Sequence, residues 1–266
     1  MAFYNWDNSP SSTKQQINRF IKLVTEQLTG NLIGIYLHGS LTMKCFNPEK
    51  SDIDLIVVTT EQMDISTKKK IIEELLVLSN NPHPIEVSFI INDDLKEWKY
   101  PTPFDLHYSE DWRNKYKKEL IFEKWKEWNN KKETDVDLAA HITIILQRGI
   151  TLYGEAINTV FPDVPKEDYK DSILLDFKYA LEGILQKPIY GILNSCRIYA
   201  YLTDYHIFSK QEAGMWAIEQ LPGKYKELIK DTLEIYESDI NVTLDQQLVL
   251  NFKEFIKKEV SKFIQR

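Results

Sequence analysis

Leu37-His38-Gly39-Ser40, followed about a dozen residues later by Ser51-Asp52-Ile53-Asp54-Leu55-Ile56-Val57-Val58, is the stretch whose reading decides the fold. Alternate side chains of a strand point the same way, so Asp52 and Asp54 share one face with α-carbons about 7 Å apart. Two like charges in an otherwise apolar strand are costly unless a cation lies between them. Hard oxygen ligands at this spacing suit Mg²⁺ whose shell is completed by phosphate oxygens. Upstream, Leu32–Leu37 is a short apolar, β-branched run that reads as a strand ending at Gly39-Ser40. A glycine there lets backbone N–H groups approach a phosphate, and the serine hydroxyl adds a donor.

Outward from this core, helical spacing of Ile17, Phe20, Ile21, Val24 and Leu28 predicts a helix from Thr13 to about Thr29, ended by Gly30. A charged helical stretch from about Ser66 to Leu78 precedes a third strand, Pro84 to Ile91, which Glu86 interrupts. If that strand lies beside the second, Glu86 shares a face with the aspartates and becomes a candidate general base. Strand, helix and strand in this order make a mixed α/β unit. The basic segment from Trp112 to Lys132 reads as a solvated, partly helical connection. From Asp135 to Gln265 strand alternation is absent, and segments of 3.6-residue period run over 136–153, 170–185, 191–202, 210–220, 225–236 and 248–263. The expectation is an α+β protein: an α/β domain of mixed sheet and helices with its connection over residues 1–132 and an all-helical domain over 133–266.

The 33 basic and 40 acidic side chains give a net charge of −7, unpromising for a protein that grips nucleic acid and better suited to a cationic ligand. Cys45 and Cys196 have no metal-ligand spacing, which points to a reducing cytoplasm, and no run of 18 apolar residues suggests a membrane span. The first ten residues carry no secretory pattern. His38 and His83 lack zinc-site spacing and read as structural.

Taken together, Gly39-Ser40, Asp52-x-Asp54 and Glu86 on a later strand resemble the nucleotidyltransferase superfamily that includes DNA polymerase β. Further stretches are similar to its antibiotic-modifying branch, the aminoglycoside adenylyltransferases acting on spectinomycin and streptomycin. These are His83-Pro84-Ile85-Glu86-Val87, Glu110-Asp111-Trp112-Arg113, Asp135-Val136-Asp137-Leu138-Ala139, Ser195-Cys196-Arg197-Ile198-Tyr199, Ser209 to Ile218, and Leu221-Pro222 with Tyr236. The resemblance covers about residues 14 to 264. It implies ATP and Mg²⁺ in a cleft between the domains, with AMP passed to a hydroxyl of a small cationic antibiotic. It further implies Asp52 and Asp54 as metal ligands, and Glu86 as the base in contact with the antibiotic. Gly39, Ser40, Ser51, Arg197, Lys210 and Tyr236 would bind ATP, and Trp112 and Asp137 would face the antibiotic.

Gln186 to Gly191 lacks the Trp and Asp carried by streptomycin-modifying members, so spectinomycin, at its 9-hydroxyl, is the expected substrate. Streptomycin at its 3″-hydroxyl is the alternative. A regulatory enzyme that adenylylates a protein is the other rival, although such enzymes are usually minimal domains without a helical partner. A monomer with no nucleic-acid or membrane partner is expected.

Overall fold

The computed structural model describes residues 3–238 and 243–264. They form two compact units, one from Tyr4 to Asp168 and one from Tyr169 onward that Phe3 joins. This division differs from the expected boundary at residues 132/133, and the reason is a strand. The helix of the 136–153 segment, α6 (Leu138–Arg148), stops at Gly149, and Ile150–Gly154 continues as β7. β7 pairs antiparallel with β1 (Leu32–Leu37), so the sheet claims this segment. A second departure from the helix-only expectation is β6 (Glu133–Asp135), which pairs with β4 (Thr102–Phe104).

The five-stranded sheet has the order β5-β3-β2-β1-β7, with β2 (Ile53–Thr59), β3 (Ile85–Ile91) and β5 (Leu106–Tyr108) completing it. β1 and β2 are antiparallel, β2 and β3 parallel, and β3 and β5 antiparallel. The period-two alternation divides the side chains cleanly. Ile35, Leu37, Ile53, Leu55, Val57, Val87 and Phe89 bury against α1 (Ser11–Gln27) and α3 (Ile65–Leu78). Tyr36, Ile56, Val58 and Ile90 bury on the opposite face with Leu138, Ile142 and Ile145 of α6. Asp54 is in phase with Ile56 and Val58, and Glu86 with Ser88 and Ile90, so both carboxylates belong to the α6 face. Short helices α2 (Gly39–Thr42), α4 (Asn92–Lys96) and α7 (Ile157–Val160) and the longer α5 (Arg113–Ile121) complete this unit.

A fully buried ion pair braces the same unit: Lys68 Nζ of α3 lies 2.6 Å from Asp105 Oδ1, between β4 and β5, and both side chains are 1% exposed. The other Asp105 oxygen accepts the Met63 N–H at 2.9 Å. His83 is also built into the structure, bonded to Thr13 Oγ1 and donating to the Pro48 carbonyl.

The helical unit comprises most of α8 (Lys166–Glu182), then α9 (Pro188–Asp204), α10 (Lys210–Gln220), α11 (Lys226–Glu237) and α12 (Gln246–Ile264). These ranges follow the helical periodicity closely. Ser209 starts α10 with a capping box, its hydroxyl accepting the Glu212 N–H while the Glu212 carboxylate accepts the Ser209 N–H. Neither cysteine forms a disulfide and both are buried. No helix among the described residues is long and apolar enough to cross a membrane.

Candidate active site

The parallel pairing of β2 and β3 places Asp54 directly beside Glu86 in register. Asp52, immediately before β2 rather than inside it, joins them: one carboxylate oxygen from each of the three lies within 4.8 Å of the others. Three convergent carboxylates repel one another, and a small hard cation is the partner that offsets this cost.

Gly39 makes the approach from β1 possible. It sits at φ +65°, and a Cβ built there would lie 1.7 Å from Asp54 Oδ2. Only a glycine leaves the Asp54 carboxylate its position while turning the chain into α2. The turn is tied to the strand by the His38 N–H, which donates to the Asp54 carbonyl at 3.0 Å. Ser40 Oγ, on the residue after Gly39, is buried with no hydrogen-bond partner among the described residues, an unmet polar atom that a phosphate oxygen would satisfy. Ser51 stands in the loop just before β2. It is buried, and its hydroxyl accepts the Asn47 N–H at 3.0 Å, so it closes the loop before β2.

Glu86 is half-buried and its carboxyl titrates above the ordinary value. Burial is the main cause; the charges of Asp52, Asp135 and Asp137 add to it, and His141 opposes it. A carboxylate held in this way is a stronger base than one in water, as proton abstraction from a hydroxyl requires. Three histidines surround this region, and the sequence reading gave none of them a part in it. His38 and His141 pack with ring centroids 4.8 Å apart and planes tilted by 45°, and burial holds His38 neutral, its pKa well below the ordinary value. His107 is bonded to Ser88 Oγ on the face of β3 that carries Glu86, and burial lowers its pKa to about 4.

Trp112 is half-buried, its ring 5.1 Å from that of His107 and 6.2 Å from that of Phe104, with Lys115 Nζ 3.8 Å from its centroid. These three rings, with Lys131, Glu133 and Asp135, line a cleft of about 480 Å³. Asp135 stands in its wall, two residues before Asp137. Asp137 is exposed at the start of α6, and its N–H donates to Asp135 Oδ1 at 2.9 Å. The only sequence signal for Asp135 was its place two residues before Asp137.

The other expected nucleotide contacts are in the helical unit. Arg197 of α9 donates from Nε to the Phe208 carbonyl at 3.0 Å. Lys210 is the first residue of α10, and its Nζ lies 5.0 Å from the centroid of the Tyr190 ring. Tyr236, near the end of α11, packs against Phe3 with centroids 5.5 Å apart and planes tilted by 40°.

Residues 159–259 match the family described as the aminoglycoside adenylyltransferase C-terminal domain. An aminoglycoside (3″)(9) adenylyltransferase of Escherichia coli is 26% identical over 94% of this chain and 95% of its own. The chain is a nucleotidyltransferase homologous to the aminoglycoside adenylyltransferases. A spectinomycin 9-adenylyltransferase of Campylobacter jejuni is 24% identical, covering 94% of this chain and 96% of its own. Among solved structures, the spectinomycin adenyltransferase of Enterococcus faecalis with ATP and spectinomycin superimposes with a TM-score of 0.79 at 22% identity. That match covers 93% of this chain and 99% of that one. The adenylyltransferase fold is thus present along nearly the whole chain, including the strands that carry Asp54 and Glu86.

Proposed function

We propose that this enzyme transfers AMP from ATP to the 9-hydroxyl of spectinomycin with Mg²⁺ as its metal. The observation that carries the reading is the register of Asp54 with Glu86 beside Asp52 and the Gly39 cradle. Asp52 and Asp54 would hold Mg²⁺, which when bound neutralises charge on the triphosphate. Glu86 accepts the proton of the attacking hydroxyl. The hydroxyl oxygen bonds to the α-phosphorus as the bond from that phosphorus to the bridging oxygen breaks, and pyrophosphate leaves in line. Ser40, Arg197 and Lys210 meet phosphate oxygens, and Tyr236 contacts the nucleotide. In the cleft beside Trp112, aromatic faces and the Asp135 and Glu133 carboxylates match a compact fused-ring drug with protonated amines. Two buried cysteines outside any disulfide suit a reducing cytoplasm.

The choice of spectinomycin over streptomycin is supported by the missing Trp and Asp near Gln186 and by the names of several relatives. Incubating the pure protein with ATP, Mg²⁺ and each drug, then weighing the products, tests it. Spectinomycin should gain one AMP, streptomycin should not, and Asp54→Asn should abolish the transfer. Adenylylation of streptomycin alone would overturn the drug assignment, and labelling only of a protein in a lysate would overturn the substrate class.

A further inference from the structure

We infer that Asn194 and Tyr190, both tied to the Asp176 carboxylate, are positioning residues that aim Arg197 and Lys210 at the nucleotide. The inference rests on the reading of those two cations as triphosphate contacts. Tyr190, Asn194 and Arg197 stand at i, i+4 and i+7 on α9 and therefore share one face of the helix.

Asn194 is 1% exposed, and a buried primary amide needs partners at both ends. Its Nδ2 donates to Asp176 Oδ2 at 2.5 Å. An ionised carboxylate only accepts, so Asp176 decides which end of the amide faces it and turns Oδ1 toward Arg197. Arg197 Nη1 donates to that oxygen at 3.2 Å while Nε is held by the Phe208 carbonyl. Two of the five guanidinium N–H groups are thereby fixed. The other three have no hydrogen-bond partner among the described residues, which leaves the fork a phosphate would take.

The second Asp176 oxygen accepts the Tyr190 hydroxyl, whose ring carries Lys210 Nζ on its face. The Ser209–Glu212 capping box fixes the Lys210 backbone at the start of α10. Among the described residues no lysine or arginine forms an ion pair with Asp176. A carboxylate bonded directly to the guanidinium would compete with the triphosphate for it. Placing an amide in between transmits orientation while leaving the Arg197 guanidinium its charge for the ligand.

The test is ATP affinity in Mg²⁺, by calorimetry, as a double-mutant cycle on the full chain. Asn194→Leu should weaken ATP about 10-fold, the scale of a hydrogen bond to a charged group. It should do so with spectinomycin binding unchanged, and the loss should vanish when Arg197→Ala is already present. Tyr190→Phe keeps the ring and removes only the half-exposed hydroxyl, so it serves if Asn194→Leu fails to fold. It should weaken ATP about 3-fold, again on the scale of one hydrogen bond, with the effect lost in a Lys210→Ala background but kept with Arg197→Ala. Full additivity in both cycles would overturn the inference, as would inert single variants beside an Arg197→Ala that does weaken ATP. An Arg197→Ala with normal ATP affinity would overturn the nucleotide reading of Arg197 itself, and the inference with it.

Discussion

Asp54 and Glu86 face each other across two parallel strands as register partners, so their separation is set by the sheet and not by a loop. Strand spacing is among the stiffest distances a protein offers, which suits the proposed pairing of a metal ligand with the base that takes the proton of the attacking hydroxyl.

Glu86→Gln keeps shape and loses basicity. Turnover should fall by about 10² to 10⁴ fold with ATP affinity nearly unchanged, measured in single-turnover and binding experiments. Because the Glu86 carboxyl titrates above its ordinary value, the folded protein binds that proton more tightly than the unfolded chain does. Stability is therefore lost as pH rises through this window, and Glu86→Gln should raise the melting temperature at neutral pH in the absence of metal. Loss of ATP and Mg²⁺ binding in step with turnover would make Glu86 a metal ligand instead of the base.

Gly39→Ala should leave a folded protein with activity reduced at least about 100-fold, since a methyl group cannot share space with Asp54 Oδ2. The left-handed backbone adds a strain of about 1 kcal/mol. Circular dichroism beside an activity assay separates the two effects.

His38 and His107 stay neutral in the fold at pH values where the unfolded chain protonates them. With folded pKa values below the unfolded one, stability is complete above about pH 7 and is lost as pH falls below the unfolded pKa of about 6.5. For His107 the loss by pH 5 is about 2 kcal/mol. Urea melts at pH 7 and pH 5 should show it, and His107→Gln should flatten the difference.

Lys68→Met leaves the Asp105 carboxylate buried without its cation and should cost about 3 to 5 kcal/mol. Adding Asp105→Leu should recover only part of this, because the Met63 N–H then loses its acceptor. Denaturant melts of the two variants measure it.

Much of this architecture was legible because it is written in local period. Leu32–Leu37 is the strand its apolar run predicts, and Lys210–Gln220 the helix its spacing predicts after Ser209. The alternation of Asp52 and Asp54 already placed them on one face. What periodicity does not encode is pairing across the chain. Ile150–Gly154 is an edge strand with no fully buried residue, and it follows α6 with only Gly149 as a break, so it reads as more helix. The Lys68–Asp105 pair and the histidines near Glu86 join segments distant in sequence, and a single lysine or histidine carries no sign of the partner that the fold will bring. The hydrogen bond from the Asn47 N–H to the Ser51 hydroxyl, which closes the loop delivering the aspartates, likewise has no signature in local period.

The pairing of β1 with β7 also governs how the chain is made. The strand that leads into Gly39 leaves the ribosome early, while its outer neighbour follows only when the end of the same unit is translated, roughly 10 s later at ordinary elongation rates. Until then one backbone edge of β1 stays open to any passing strand, including that of a sister chain on the same message. Nascent-chain yield should accordingly depend on chaperone supply up to the emergence of Gly154, and a fragment ending at Lys132 should aggregate even though it carries Asp52, Asp54 and Glu86 alike.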